Sequence, residues 1–122
     1  MKKKKILIVE DSPTIRRIIK NTCLKIGNID TIETNNGLEA LPKIKEHDFD
    51  LIITDWDMPQ MNGLELVKII KNTRESSSIP IVMLSTRNGV DDIRLTRDLK
   101  VDFYMIKPFD PVRLLLKIKE LI

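Results

Sequence analysis

The chain has 122 residues, 42% of them hydrophobic, and a formal net charge of +3 at pH 7. This length fits one domain, residues 1–122, with enough apolar side chains for a core. No apolar run approaches the roughly 18 residues that a membrane span needs, and a single cysteine, Cys23, excludes an internal disulfide and fits a reducing cytosol. The basic run Lys2–Lys5 is short and aromatic residues make up only 4%, so we expect a cytoplasmic protein that contacts neither membrane nor nucleic acid directly.

Short apolar runs alternate along the chain with stretches of helical periodicity. The runs predict strands at 4–9, 29–33, 50–54, 79–84 and 101–106. The periodic stretches predict helices near 13–26, 36–46, 63–73, 89–99 and 110–122. Repeated βα units predict a parallel sheet with helices on both faces and right-handed crossovers. The fold class is therefore α/β, a flavodoxin-like (βα)5 three-layer sandwich whose five strands follow the order 2-1-3-4-5.

Several residues indicate how individual helices begin, end or bend. Pro13 fits the start of the first helix and Gly27 its end. Pro42 falls inside the second helix and should kink it or delay its start, whereas Asn62 and Glu65 resemble a capping pair for the third. The fourth helix has two weak apolar faces and should be poorly anchored and mobile. One face of the first helix carries Ile15, Ile18, Ile19, Thr22 and Ile26.

Acidic residues follow two of the predicted strands. The run Ile6–Val9 leads into Glu10 and Asp11, and the run Leu51–Thr54 leads into Asp55. Carboxyl ends of parallel strands meet at one edge of the sheet, where open α/β folds hold their ligands. Three carboxylates in one cleft repel one another unless a cation joins them, and Mg²⁺ suits an all-oxygen site that keeps waters. The sequence therefore predicts a Mg²⁺ site at this edge.

The same edge has the groups needed for phosphoryl transfer. The carboxylate of Asp55 can attack a phosphoryl group and form an acyl phosphate, while Mg²⁺ offsets the charge of the transition state. Ser85 follows the fourth strand and Lys107 the fifth, where a hydroxyl and an ammonium can each bind a phosphoryl oxygen. Each of these residues alone is more often an ordinary turn or cap residue. Their shared position at the same end of their strands favours one common site.

A set of motifs around these residues matches a known family. The motifs are Val9-Glu10-Asp11-Ser12, Thr54–Pro59 with Met61-Asn62-Gly63, Ser85-Thr86, Tyr104 and Lys107-Pro108-Phe109. Through them the chain from Lys4 to Ile122 resembles the receiver domain of bacterial two-component response regulators, specifically the stand-alone CheY-like chemotaxis type. The resemblance implies a response regulator in a two-component phosphorelay that acts in chemotaxis and flagellar rotation.

The resemblance also implies roles for the residues of the site. Asp55 would be the phosphorylated aspartate, Ser85 and Lys107 would assist catalysis, and the bond from Lys107 to Pro108 would be cis. The phosphoryl donor would be a histidine kinase, or a small acyl phosphate in vitro. Such a protein is not an enzyme in the usual sense, because it catalyses only its own phosphorylation and dephosphorylation. The Mg²⁺ ligands would be Glu10 (through water), Asp11, Asp55 and the backbone carbonyl of Asp57.

Phosphorylation would be communicated by a switch made of Ser85 and Tyr104. Ser85 would move toward the new oxygens and Tyr104 would fill the space it leaves, which remodels the surface of the fourth helix, fifth strand and fifth helix. Val112 and Leu116 are predicted on the exposed side of the fifth helix, as part of a partner or dimer contact or simply as scattered apolar residues. The implied partners are a histidine kinase, a phosphatase, and the flagellar motor switch or another protein target, with the chain a monomer or weak dimer. The core face of that helix is predicted to carry Leu114, Ile118 and Leu121.

Two positions depart from the family pattern in ways that bear on the site. Asp57 and Arg87 should flank the phosphoryl group, and a salt bridge between them would cover the path of attacking water. This predicts slow self-dephosphorylation.

A further departure lies before the fifth strand. Lys100-Val101 stands where Gly-Ala is usual in the family, which leaves the turn there undefined.

Three alternatives remain open. Asp55-Trp56-Asp57 mimics the Asp-x-Asp signature of haloacid dehalogenase phosphatases, although Pro59 is unusual there and 122 residues leave no room for a cap domain. A nucleotide- or flavin-binding module would need a Gly-rich loop after the first strand, where the chain has Glu10–Pro13 instead. The third alternative is that the chain is a receiver domain cut from a larger regulator with a DNA-binding or enzymatic output domain.

Overall fold

The computed structural model describes residues 2–122, in which strands and helices alternate as predicted. The strands are β1 (Lys4–Val9), β2 (Ile29–Thr34), β3 (Leu51–Asp55), β4 (Ile81–Ser85) and β5 (Phe103–Ile106). The helices are α1 (Pro13–Leu24), α2 (Gly37–Glu46), α3 (Gly63–Asn72), α4 (Val90–Asp98) and α5 (Pro111–Leu121). All strands pair in parallel in the order β2-β1-β3-β4-β5, which confirms the predicted fold class.

The strand register places several loop starts at one edge of the sheet. Val9 at the end of β1 pairs with both Thr34 of β2 and Thr54 of β3. One strand further on, Ser85 at the end of β4 pairs with Ile106 at the end of β5. The residues that follow these strands therefore begin at the same level. This edge holds every strand-end side chain that the sequence predicted for the site.

Two apolar clusters, one on each face of the sheet, form the core. The first lies against α1 and α5 and the second against α2 and α3. Alternate residues of β1 serve both clusters, with Ile6 and Ile8 in the first and Leu7 and Val9 in the second. Since β1, β3 and β4 are covered on both faces, they appear in the sequence as continuous apolar runs. Among residues 2–122, no helix combines the length and apolar character of a membrane span.

Helix α1 differs from its predicted face and end. Ile19 is buried but Ile18 is 38% exposed, so the face that the predicted residues share reaches solvent at Ile18. At 100° per residue, Ile18 lies at the margin of the face centred on Ile19, and Cys23 packs in the core instead. Burial raises the pKa of the Cys23 thiol to about 12, as expected for an inert packing residue. The helix ends at Leu24, two residues earlier than predicted.

The capping predictions for α2 and α3 have different outcomes. Helix α2 starts at Gly37 after the cap Asn36, so the delayed start predicted from Pro42 is wrong. The Asn36 side chain accepts a hydrogen bond from the Glu39 backbone N–H at 2.9 Å, and this cap fixes the start despite an interior proline. In α3 the predicted capping pair is confirmed. The Asn62 and Glu65 side chains each accept a hydrogen bond from the other residue's backbone N–H.

Helix α4 buries few side chains against the rest of the protein, in agreement with its weak apolar faces. Of its residues only Thr96 is buried, and Val90 and Leu95 are exposed. The turn after it is well defined. Lys100 has φ 64°, and its backbone N–H donates to the Arg97 carbonyl at 2.9 Å. The next N–H, from Val101, donates to the Thr96 carbonyl at 3.0 Å, which completes a Schellman motif with a lysine in the left-handed position.

Candidate functional site

Three carboxylates meet at the carboxyl end of the sheet. Glu10 and Asp11 follow β1 and Asp55 ends β3, and one oxygen from each lies within 4.8 Å of the other two. Glu10 and Asp55 are enclosed, with 1% and 7% of their surfaces exposed, whereas Asp11 faces solvent. Enclosed carboxylates beside an open one suit a hard cation that keeps several waters. The donor set therefore fits Mg²⁺, as the sequence predicted.

Lys107 is the cation of this cluster. Its Nζ lies 2.8 Å from Glu10 Oε1 and 3.2 Å from Asp55 Oδ1. The Lys107 backbone N–H donates to the Ser85 carbonyl at 2.8 Å, which ties the end of β5 to the end of β4. The bond between Lys107 and Pro108 is cis, as the resemblance implied. A single ammonium among three carboxylates leaves the cluster with an excess of negative charge that a divalent cation can balance.

The cluster shifts the proton affinities of its members. Burial raises the pKa of Glu10, and the hydrogen bond from Lys107 offsets only part of that rise. Burial likewise raises the pKa of Asp55 against the opposing charge of Lys107. For Lys107, burial alone would lower the pKa, but its hydrogen bond with Glu10 and the carboxylate charges outweigh burial and raise it. The acids are thus held in a site where their charged forms need a further cation.

The backbone around Asp55 orients its carboxylate. Asp55 Oδ1 accepts the Trp56 backbone N–H at 2.8 Å and also faces Lys107. Both contacts fall on Oδ1, so Oδ2 is the freer oxygen for bond formation. The start of α3 packs against the backbone of Asp55 and Trp56, where the Gly63 N–H donates to the Trp56 carbonyl at 2.7 Å. A Cβ at Gly63 would collide with the Asp55 backbone carbonyl, so only glycine fits there.

Ser85 and Arg87 form the side of the site that β4 supplies. Ser85 is fully buried, and its Oγ accepts the Arg87 backbone N–H at 3.0 Å. The predicted salt bridge between Arg87 and Asp57 is present, with Nη2–Oδ1 at 2.7 Å and Nε–Oδ2 at 3.1 Å. The Arg87 guanidinium also lies 4.7 Å from the centroid of the Trp56 ring and 3.7 Å from Asp92 of α4. The stacking on Trp56 and the contact with Asp92 were not predicted.

Comparisons with known proteins agree with this arrangement. Residues 6–119 match the family described as "Response regulator receiver domain". The chain belongs to this receiver family. It is 40% identical over 119 residues to a chemotaxis protein CheY homolog of Campylobacter jejuni, covering 97% of this chain and 92% of the relative. It is also 43% identical over 108 residues to chemotaxis protein CheY1 of Helicobacter pylori, with 88% and 87% covered.

A solved receiver structure has the same fold. Chemotaxis protein CheY4 of Vibrio cholerae aligns with a TM-score of 0.90 at 31% identity, covering 98% of this chain and 99% of that one. Receivers of this CheY-like type are two-component signalling proteins rather than enzymes that turn over an external substrate. They bind Mg²⁺ at an acidic pocket and interact with histidine kinases and downstream protein targets. Membership of this family argues against the haloacid dehalogenase alternative.

In this receiver the two residues predicted to form the switch meet at one backbone segment. The Tyr104 hydroxyl donates to the Arg87 carbonyl, while Ser85 accepts from the Arg87 N–H. The Tyr104 ring meets the Trp56 ring edge-on, with centroids 6.3 Å apart and an interplanar angle of 85°. Burial raises the pKa of Tyr104. A movement of the 85–87 segment would therefore act on both hydroxyls at once.

The predicted partner surface lies on the exposed side of α5. Val112 and Leu116 are 62% and 61% exposed, while Leu114 and Ile118 are buried, as predicted. Close by, α5 covers the Phe103 ring of β5 with Lys117, whose Nζ lies 4.4 Å from the ring centroid.

Arg16 is a residue of the site region that was not predicted. Its Nη1 donates to the backbone carbonyl of Glu10 at 2.7 Å and to Asn35 Oδ1 at 2.7 Å. The sequence offered one signal for it, an arginine in the first turn of the helix that follows the acids. Helical periodicity cannot show which loop carbonyl such a long side chain reaches.

Proposed function

We propose that residues 1–122 form one receiver domain that accepts a phosphoryl group on Asp55 from a histidine kinase in a Mg²⁺-dependent reaction. The observation that carries this proposal is the position of Lys107, whose ammonium bridges Glu10 and Asp55 beside a solvent-facing Asp11. This arrangement has an enclosed nucleophile, a cation for a phosphoryl oxygen and an open side for a donor. It is chemically suited to phosphoryl transfer.

The metal would be held by Asp11, Asp55 and the backbone carbonyl of Asp57, with Glu10 acting through water, and it would supply charge neutralisation for the transferring group. Asp55 Oδ2 attacks the phosphorus, and the bond from phosphorus to the donor's imidazole nitrogen or acetate oxygen breaks with its electron pair leaving on the donor. Lys107 pairs with one phosphoryl oxygen. The Ser85 hydroxyl leaves the Arg87 N–H and donates to another. The same groups assist the hydrolysis that later resets the protein.

The output would be binding of a protein target. Ser85 and Tyr104 change partners together, and the surface of α4, β5 and α5 changes with them, including Tyr104, Val112 and Leu116. Because few side chains of α4 are buried, such a change breaks few packing contacts and needs little free energy. The names of the relatives, which are chemotaxis proteins, support a role in chemotaxis, and we propose the flagellar motor switch as the target. A phosphatase, a cytoplasmic location and a monomeric or weakly dimeric state belong to the same proposal.

Intact-mass spectrometry with acetyl phosphate tests the central step. The protein with Mg²⁺ should gain the mass of one phosphoryl group, and the gain should vanish with EDTA and in Asp55→Asn. Asp48→Asn, which removes an exposed carboxylate outside the cluster, is the matched control and should still gain it. An adduct that persists in Asp55→Asn, or none in the unmodified protein, would refute the proposal.

A further inference from the structure

Arg16 joins three segments that surround the acidic cluster. Besides its two hydrogen bonds from Nη1 to the Glu10 carbonyl and to Asn35, its Nε lies 3.4 Å from Glu33 Oε1 at the end of β2. Only 19% of the Arg16 side chain is exposed. A guanidinium carries its donors on separate nitrogen atoms of one rigid plane, so it can reach acceptors that lie farther apart than those around the single nitrogen of an ammonium. One side chain thus fastens the loop after β1 to the end of β2.

The anchors of Arg16 are themselves fixed. The Asn35 backbone N–H and its side-chain Nδ2 donate to Glu39 Oε1 of α2 at 3.0 and 3.1 Å. Glu33 also faces Lys20, with Nζ–Oε2 at 3.4 Å. Two acceptors of the guanidinium are thus side chains that have further partners of their own, and the third is the Glu10 backbone carbonyl. The guanidinium can hold that carbonyl in one place.

The direction of the two leading acids depends on that carbonyl. The Glu10 N–H donates to the Thr34 carbonyl at 3.0 Å, so with Arg16 on its C=O the Glu10 peptide is held on both sides. Asp11 comes next. Within residues 2–122 no hydrogen bond or ion pair is found for its side chain, and its carboxylate is directed by the backbone alone.

We propose that Arg16 is a positioning residue for the metal-binding loop. By holding the Glu10 carbonyl, it directs the carboxylates of Glu10 and Asp11 toward Asp55 and so sets the affinity of the cluster for Mg²⁺. This inference rests on the proposed function, since it assigns Arg16 to the same site. It does not require Arg16 to touch the phosphoryl group.

The test compares Arg16→Ala with Arg17→Ala. Both remove one positive charge from α1, but Arg17 is exposed and has no ion pair among residues 2–122. Mg²⁺ affinity, followed by Trp56 fluorescence, should fall about tenfold in Arg16→Ala, as for other residues that orient metal ligands. It should be unchanged in Arg17→Ala, and Arg16→Lys should restore only part of the loss. Equal affinities in Arg16→Ala and the unmodified protein would overturn the proposal.

Amide hydrogen exchange without metal gives a second, independent readout. The Asp11 and Ser12 amides should exchange faster in Arg16→Ala than in Arg17→Ala, and equal exchange overturns the anchoring role. If Arg16→Ala does not fold, Asn35→Ala removes one partner of the guanidinium and should weaken Mg²⁺ binding by a smaller factor; unchanged binding would contradict the role. If the unmodified protein binds no Mg²⁺, the proposed function fails, and the exchange data alone decide whether Arg16 fixes the loop.

Discussion

Arg87 and Asp57 are paired at the mouth of the site, within two residues of Ser85 and Asp55. The Arg87 guanidinium donates hydrogen bonds to both carboxylate oxygens of Asp57 and lies over the Trp56 ring. Both side chains are about half exposed. Under the proposed function, the pair would flank a phosphoryl group on Asp55 and limit the approach of water. Solvent and salt screen an exposed pair of this kind, so its effect on hydrolysis is modest and depends on salt.

Asp57→Asn should therefore hydrolyse the acyl phosphate faster than the unmodified protein. Because the contact that is lost is exposed and screened by solvent, the rate should rise only by about twofold to fivefold. Arg87→Gln should give a similar rate, and the double variant should add little because both changes remove one contact. The measurement is loss of the phosphoryl adduct by intact mass after the donor is removed. Asp91→Asn on α4 is the control, and an equal or slower rate in Asp57→Asn would contradict the account.

The turn after helix α4 places a lysine in a backbone conformation that favours glycine. Lys100 occupies the left-handed position of the Schellman motif with φ 64°, where a side chain costs about 1 kcal/mol and glycine almost nothing. The two hydrogen bonds of the motif hold it there nonetheless. The strain lies between α4 and β5, elements of the proposed output surface.

Lys100→Gly should stabilise the protein by about 0.5–1 kcal/mol, because relief of the left-handed strain exceeds the extra entropy that glycine gains in the unfolded chain. Urea denaturation measures the free energy of unfolding. Lys100→Ala removes the same charge but keeps the strain, so it should leave the stability within about 0.5 kcal/mol. A destabilised Lys100→Gly would mean that the lysine side chain makes a contribution larger than the strain.

At the scale of the whole molecule, the free energy of unfolding should depend on the net charge of the acidic cluster and therefore on pH. Glu10 and Asp55 have pKa values raised above those of unfolded chains, mainly by burial. Acids of this kind favour folding at pH values below their unfolded pKa, and that contribution is lost as pH rises through the folded pKa. Lys107, whose pKa is also raised, keeps its favourable contribution at neutral pH, where its carboxylate partners are charged. The metal-free protein therefore carries an electrostatic penalty near neutral pH.

Mg²⁺ should raise the melting temperature most at neutral pH, and the increment should shrink as pH falls to about 5, because protons then compete for the same carboxylates. Differential scanning fluorimetry with and without Mg²⁺ at each pH isolates this increment from all other titrations. Asp11→Asn should reduce it at every pH. An increment that stays constant or grows toward acid would show that the ion binds elsewhere.

The sequence predicted the fold and the composition of the site because both depend on local signals. Apolar periodicity placed each element to within two residues at either end, and parallel pairing brought the strand-end residues Glu10, Asp55, Ser85 and Lys107 to one edge. The exposure of Ile18 and the contacts of Arg16 were not predictable in this way. They depend on how helices are rotated and on where long side chains find acceptors, which only tertiary packing decides.

Trp56 fluorescence offers the most direct test of the central claim that the cluster binds Mg²⁺ and then accepts a phosphoryl group on Asp55. Trp56 is the only tryptophan, and its backbone N–H donates to Asp55 Oδ1. Titration with Mg²⁺ should change the signal, acetyl phosphate should change it further, and Asp55→Asn should lose the second change. A Mg²⁺-saturated protein that shows no response to acetyl phosphate and no phosphoryl adduct by intact mass would contradict the claim.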